Sequence, residues 1–144
     1  MEHPITIRPA ETTDAEAISS LLGELGYPQT PDQISRRLEE LAGFPSTHVL
    51  VAINTDHVVG VGTLNFIPLL HQKEKIARVS ALAVTESHQG QGVGHELMGA
   101  FESIAREAGC PRLEVTSNLR RAGAHGFYER LGYEETSKRF VKWL

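Results

Sequence analysis

Between "IARVSALAV" (Ile76 to Val84) and the amphipathic run Val93 to Ala108 lies "ESHQGQGVGHELM", with Gly90, Gly92 and Gly94 inside five positions. A β-branched run entering a helix through glycines turns a fan of backbone N–H groups toward one spot, where the helix dipole adds partial positive charge. Such a spot suits phosphate, and glycine both leaves room for close approach and tolerates the positive φ angles a nest requires. The same stretch without a ligand is simply a glycine-rich turn. As a P-loop it lacks the closing Gly-Lys-Ser/Thr, reading Gly94-His95-Glu96 instead, which disfavours an NTPase. Its Gly-x-Gly-x-Gly spacing after an internal strand also departs from the dinucleotide fingerprint, which disfavours a Rossmann oxidoreductase.

The elements around it follow from periodicity. "ITIRPA" (Ile5 to Ala10) alternates as a strand, and Ala17, Ile18, Leu21, Leu22 and Leu25 recur at helical spacing after it. Thr30 as N-cap and Pro31 at the first helical position open a second helix with Ile34, Leu38 and Leu41 on one face. "HVLVAI" and "VVGVGTLNFI", separated by "NTDH", predict an antiparallel hairpin, and Ile76 to Val84 is a third strand in this group. The helix Val93 to Ala108 stops near Gly109 and Pro111. "RLEVTS" predicts a strand, "AGAHGFYERLG" a short helix closed by Gly132, and "RFVKWL" a final strand. The order β, α, α, β, β, β, α, β, α, β implies a mixed sheet with one strand-helix-strand crossover.

The 144 residues, 40% apolar and 22% charged, suit one globular domain spanning 1–144. The apolar runs are short of the roughly 18 residues that span a bilayer, and no basic-then-apolar leader opens the chain, so neither membrane nor export is expected. Cys110 is the only cysteine, which fits a reducing cytoplasm, and its place in "AGCPR" gives it no neighbouring base. A formal charge of −4 without a basic stripe argues against nucleic acid and suits a cationic small partner. Seven histidines show no His-x-x-x-His pair and no cysteine cluster, so no metal is expected.

With Gln89 included, Gln89-Gly90-Gln91-Gly92-Val93-Gly94 resembles the Gln/Arg-x-x-Gly-x-Gly/Ala motif of the GNAT superfamily of N-acetyltransferases. "EVTSN" followed by "AHGFYERLGY" resembles that family's second motif, and the two in order cover most of the chain. The resemblance implies the GNAT fold, a central mixed sheet of about six to seven strands flanked by about four helices. It implies acetyl-coenzyme A, with the diphosphate on the backbone of Gln89, Gly90, Gln91, Gly92, Val93, Gly94 and His95. Its pantetheine arm would lie between strands Ile76 to Val84 and Arg112 to Ser117, along the backbone of Leu82, Ala83 and Val84 and near Asn118.

Amine attack on a thioester passes through a tetrahedral intermediate, so it requires a neutral amine, oxyanion donors and an acid for the departing thiolate. Backbone N–H near Val84 is the expected oxyanion donor, and Tyr128 matches the family tyrosine that protonates the thiolate, a task its phenol suits. The alternative for Tyr128 is a packed helix aromatic. Many relatives carry a glutamate on the strand before Leu-x-Val, where this chain has Ser80-Ala81. The base candidates are therefore Glu114 through water, or His71 and Glu74 in "LLHQKEK", and His125 beside the tyrosine motif is expected to orient its helix or touch the coenzyme. The segment from Thr116 onward is most similar to small acetyltransferases of the aminoalkylphosphonate type. A phosphonate would need a guanidinium fork, for which Arg78, Arg120, Arg121 and Arg139 are candidates. The expected activity is direct acetyl transfer to a small primary amine within a ternary complex. The alternatives are a protein or peptide amine as acceptor, a non-catalytic coenzyme A-binding sensor of the same fold, or a nucleotide-binding regulator. A homodimer through an edge strand ending near Trp143 is also open.

Overall fold

A computed structural model describes residues 4–116 and 124–144. Five strands form one sheet in the order β1 (Thr6–Pro9), β2 (Thr47–Asn54), β3 (His57–Ile67), β4 (Ile76–Val84), β5 (Leu113–Val115). The first four are antiparallel neighbours and β4 pairs with β5 in parallel, which makes the sheet mixed. The parallel step is bridged by α3 (Val93–Glu107), the expected crossover.

Local chemistry accounts for most boundaries. A single 3₁₀ turn, Thr12–Asp14, leads into α1 (Ala15–Glu24). In α2 (Pro31–Ala42) the Thr30 hydroxyl accepts from the Gln33 N–H while the Gln33 side chain accepts from the Thr30 N–H, a reciprocal capping box with proline at its first position. Thr55 and Asp56 take positive φ, 48° and 63°, as a two-residue hairpin turn between β2 and β3 demands. Arg8 on β1 forks onto the buried Asp14 at 2.8 Å through both terminal nitrogens, tying the first strand to the start of α1.

Two apolar layers sandwich the sheet. On one face Leu97, Met98 and Phe101 of α3 meet Leu50, Leu64, Ala77 and Val79, with α4 (Ala124–Arg130) packed at the margin through Phe127 and Tyr128. Phe101 comes so close that a Cβ on Gly62 would sit 2.7 Å from its ring. On the other face Ile18 and Leu21 of α1, with Ile34 and Leu38 of α2, cover Val51, Val61 and Ala83.

The sheet has five described strands rather than six or seven. The predicted closing strand "RFVKWL" does not form: residues 133–144 carry no regular structure, and Phe140 and Trp143 are 93% and 90% exposed. A strand's propensity is expressed only where a neighbour completes its ladder, and β5, three described residues long, is the short end of the sheet. The expectation of a partner joined through a strand at Trp143 therefore has no strand to rest on.

Candidate functional site

The site is organised by β4. Ala77, Arg78 and Val79 pair with Leu113, Glu114 and Val115, and the ladder ends there. On the other edge, Thr63 faces Ala81 while Leu64 faces Val79, so Ser80 is an extra residue, a β-bulge. The bulge puts Ser80 and Ala81 both at the surface in succession. From Ser80 to Val84 the edge of β4 that faces β5 has no strand partner among the described residues. That edge runs along Leu82, Ala83 and Val84, where backbone groups are placed to meet a ligand's amides, although the Val84 carbonyl already accepts from Gln89 Nε2.

β4 runs into the glycine turn. Gly90 and Gly92 adopt φ of 78° and 87°, and a Cβ at either would meet nothing within 4 Å, so the space in front of them is open. Gly92 in the left-handed region is the N-cap of α3, and the first intrahelical bond to it comes from the Glu96 N–H. The N–H groups of Val93, Gly94 and His95 therefore lie at the uncapped helix start, together with the exposed backbone of Gln89, Gly90 and Gln91. This nest fits the coenzyme's diphosphate in charge and in clearance. The two glutamine side chains serve the turn itself. Gln89 Nε2 donates to the Val84 carbonyl at 3.1 Å and Gln91 Nε2 to the Ser87 carbonyl at 3.0 Å. Gly94 differs from its neighbours: its Cβ would lie 3.0 Å from Phe127 Cζ, so the third glycine admits the ring of α4 rather than opening a ligand path.

Tyr128 follows Phe127 on α4, half-buried, with edge-on ring contacts to Phe127 at 5.1 Å and to Tyr133 at 6.0 Å. Gly132 at φ 92° closes the helix, and the Tyr133 N–H donates to the Tyr128 carbonyl. The Tyr133 hydroxyl donates to Glu102 of α3 at 2.8 Å, and burial beside that carboxylate pushes its pKa well up. Tyr133 is thus a lock between α4 and α3. Asn118, Arg120 and Arg121 lie outside the described residues, as does the His125 side chain.

On the face covered by α1 and α2 at one end, the other end is polar. Arg78 and Glu114 stand opposite each other in the ladder, with Nε and Nη2 of Arg78 at 3.3 and 2.7 Å from Glu114 Oε1. Arg112 Nε donates to Glu114 Oε2 at 3.0 Å. The Arg78 hydrogen bond, reinforced by Arg112 and opposed by partial burial, holds the Glu114 carboxyl below the usual carboxylate range. A carboxylate so stabilised is a weak proton acceptor. His71 is exposed in the β3–β4 connection, at the end of β4 remote from the glycine turn, and Glu74 is exposed in the same connection. Arg139 is in the irregular tail.

Three features were missed from sequence. Glu24, the last residue of α1, accepts from the Thr85 hydroxyl at 2.9 and 3.0 Å and from the Glu86 N–H at 2.6 Å, which lowers its pKa and joins the acceptor-side helices to the segment after β4. Thr47, Asn65 and Ser80 form a hydrogen-bonded row across β2, β3 and β4. Arg112 is the third member of the Glu114 cluster. Nothing local flags the first two, whereas Arg112 stands two residues before Glu114 on the predicted strand, where alternation puts both on one face. Among the described residues no group of three or more His, Cys, Asp or Glu side chains is placed to hold a metal ion, and no helix is long and apolar enough to cross a membrane.

The fold agrees with known proteins. Residues 15–133 match the family model described as Acetyltransferase (GNAT) family. The chain is 32% identical over 143 residues to the aminoalkylphosphonate N-acetyltransferase of Salmonella typhimurium, covering 96% of this chain and 90% of that protein. It is 28% identical over 140 residues to the type 1 aminoglycoside N(6')-acetyltransferase of Stenotrophomonas maltophilia, covering 92% and 88%. Among solved structures, one described as a transcriptional regulator from Bacillus halodurans superposes with a TM-score of 0.90 at 24% identity, covering 98% of this chain and all of that one, a likeness of fold. With a matching model over most of its length and a relative 32% identical across it, the chain belongs to the GNAT family of acetyltransferases and is an acetyl-coenzyme A-dependent N-acetyltransferase.

Proposed function

We propose that this chain, as one cytoplasmic domain, moves the acetyl group of acetyl-coenzyme A to the primary amine of a small molecule by direct attack within a ternary complex. The observation that carries the reading is the edge of β4 from Ser80 to Val84, which has no strand partner among the described residues on the β5 side and leads directly into the turn at Gly90 to His95. The coenzyme supplies an activated thioester. The nest holds its diphosphate, and Leu82, Ala83 and Val84 hold its arm as a neighbouring strand would be held. A backbone N–H on that edge faces the acetyl oxygen, where it stabilises developing negative charge without reorganisation. Tyr128, fixed by its two ring neighbours, is the acid for the thiolate. His71 and Glu74, both exposed, are the remaining base candidates, and no described side chain engages either. A small acceptor is supported by the two named relatives, both of which carry small-molecule substrates in their names.

The test is thiol release from acetyl-coenzyme A across aminoalkylphosphonates, aminoglycosides, polyamines, amino acids and lysine peptides, with Tyr128→Phe alongside. Release with a small-molecule class, falling about 100-fold in the variant at unchanged coenzyme affinity, is the expected result. Release with lysine peptides alone would move the acceptor to protein amines. Coenzyme binding without transfer to any amine would favour a sensor module.

A further inference from the structure

Resting on that reading, we infer that Arg78 and Arg112, bridged by Glu114, form the subsite for an anionic group carried by the acceptor, so that the substrate is a short amine ending in phosphonate, phosphate or carboxylate.

The charges in the cluster do not balance. Both oxygens of Glu114 are engaged, Oε1 by Arg78 and Oε2 by Arg112, leaving two guanidinium groups against one carboxylate. Nη1 of Arg78 and both terminal nitrogens of Arg112 have no partner among the described residues, and the side chains are 43% and 47% exposed. One guanidinium would suffice to neutralise Glu114. Two, with outward donors remaining, make a fork that fits a planar or tetrahedral anion, and they do so on a chain whose formal charge is −4.

The cluster is also where an acceptor would need it. Helices α1 and α2 cover Val51, Val61 and Ala83 on this sheet face, and leave Thr47, Asn65, Arg78, Ser80 and Glu114 as an uncovered floor. The Thr47–Asn65–Ser80 hydrogen bonds fix that floor across three strands. Ser80 is the bulge just past the last described β4–β5 pair, two residues beyond Arg78, or about 7 Å along a strand. An amine at the mouth of the wedge with its anion on Arg78 therefore has only a short alkyl chain between them. In this arrangement Glu114 orients the fork rather than taking the amine's proton.

The experiment compares kcat/KM for 2-aminoethylphosphonate, 3-aminopropionate and the uncharged 2-aminoethylphosphonate diethyl ester in wild type, Arg78→Gln, Arg78→Lys and Arg112→Gln. Coenzyme A affinity is measured by calorimetry on each as a check of the folded site. The wild type is expected to favour an anionic amine over the ester by about 10-fold or more. Each glutamine variant should lose about 10- to 100-fold on the anionic amine, chiefly in KM, and change little on the ester, with Arg78→Lys intermediate. Ethylphosphonate, which lacks the amine, should compete with the amine in wild type and not in the variants. The phosphonate and carboxylate arms tell which anion is read. Equal use of charged and uncharged amines, or a charged-to-uncharged ratio that no variant moves, overturns the inference while leaving the acetyltransferase reading intact. Transfer to no amine at all overturns both. If Arg78→Gln loses coenzyme binding and so fails to fold, Arg112→Gln, which removes a single described bond, decides the matter.

Discussion

Replacing Gly94 with alanine separates two reasons for a glycine in the phosphate turn. A Cβ built there lies 3.0 Å from Phe127 Cζ, 3.3 Å from Cε1 and 3.8 Å from Cε2. Since carbon atoms rest at about 3.5–4.0 Å, the ring must retreat by about 0.5–1 Å. Overpacking of this kind costs about 1–3 kcal/mol, and alanine in place of a helical glycine returns up to about 1 kcal/mol. The net destabilisation is then about 0–3 kcal/mol, a Tm decrease of at most roughly 10 degrees for a chain of this length. Catalysis is more sensitive. Tyr128 is the next residue on the displaced helix, and about 1 Å of misplacement is worth about 100-fold in rate. Gly94→Ala should therefore lower kcat by about 10- to 100-fold with coenzyme affinity nearly unchanged, read by thiol release and calorimetry. Adding Phe127→Leu, which removes the opposing ring, should recover much of the kcat lost to Gly94→Ala. The control is Gly92→Ala: it meets no atom within 4 Å but must hold φ at 87°, at a cost of about 1–2 kcal/mol, and Phe127→Leu should not rescue it. A Gly94→Ala protein that loses coenzyme affinity, keeps its kcat and ignores Phe127→Leu would refute the packing argument and return Gly94 to the ligand.

Glu24→Gln should weaken coenzyme binding by about three- to tenfold with little change in Tm, because the Thr85 hydroxyl and Glu86 N–H lose a charged acceptor beside the nest while the exposed side chain packs against little; calorimetry checks it, and Thr85→Val should not add to it fully. Acid should act through Asp14 and Glu114. Each has its pKa lowered in the fold, mainly by an arginine hydrogen bond, so each contributes stability that is fully present above the ordinary carboxylate value of about 4 and lost as pH falls through its lower folded value. Asp14→Asn should lower stability at neutral pH by about 1–2 kcal/mol and flatten the denaturation profile below pH about 4.

The parts of the molecule written in local chemistry were legible. Thr30-Pro31 followed by Gln33 is a helix start because the capping bonds join residues three apart, and Gly109 at φ 78° is a helix end for the same local reason. Gly90 and Gly92 announced a nest because their backbone angles are open to few other residues. Distance in sequence hid the rest. Glu24 reaches a segment 61 residues away, and Arg78 and Glu114 are separated by 36. Glu114 read as a base because its own strand shows only Arg112 and says nothing of Arg78, whose hydrogen bond is the main reason its pKa is lowered. "RFVKWL" read as a strand because propensity is local, whereas a strand also needs a ladder to join. Gly94 looked like its two neighbours, and only the position of Phe127 distinguishes it.

The bulge at Ser80 joins these observations. A regular strand would show Ser80 and Ala81 to opposite faces and would keep its edge parallel to β5. One extra residue leaves both exposed, just beyond Val79 and Val115, the last described pair of β4 with β5. Up to Val79, β4 is a paired member of the sheet. From Ser80 its edge toward β5 has no partner among the described residues, with the glycine turn at one end and the Arg78–Glu114–Arg112 cluster at the other. Where the motif resemblance implies a glutamate, this chain has Ser80 and Ala81, and the Ser80 hydroxyl accepts from Asn65 Nδ2. In this chain charge near the acceptor is supplied from β5 and from Arg78 instead, and that charge is positive. An ammonium group would be repelled there, so an amine with its own anion to place on the arginines is the acceptor such a floor selects.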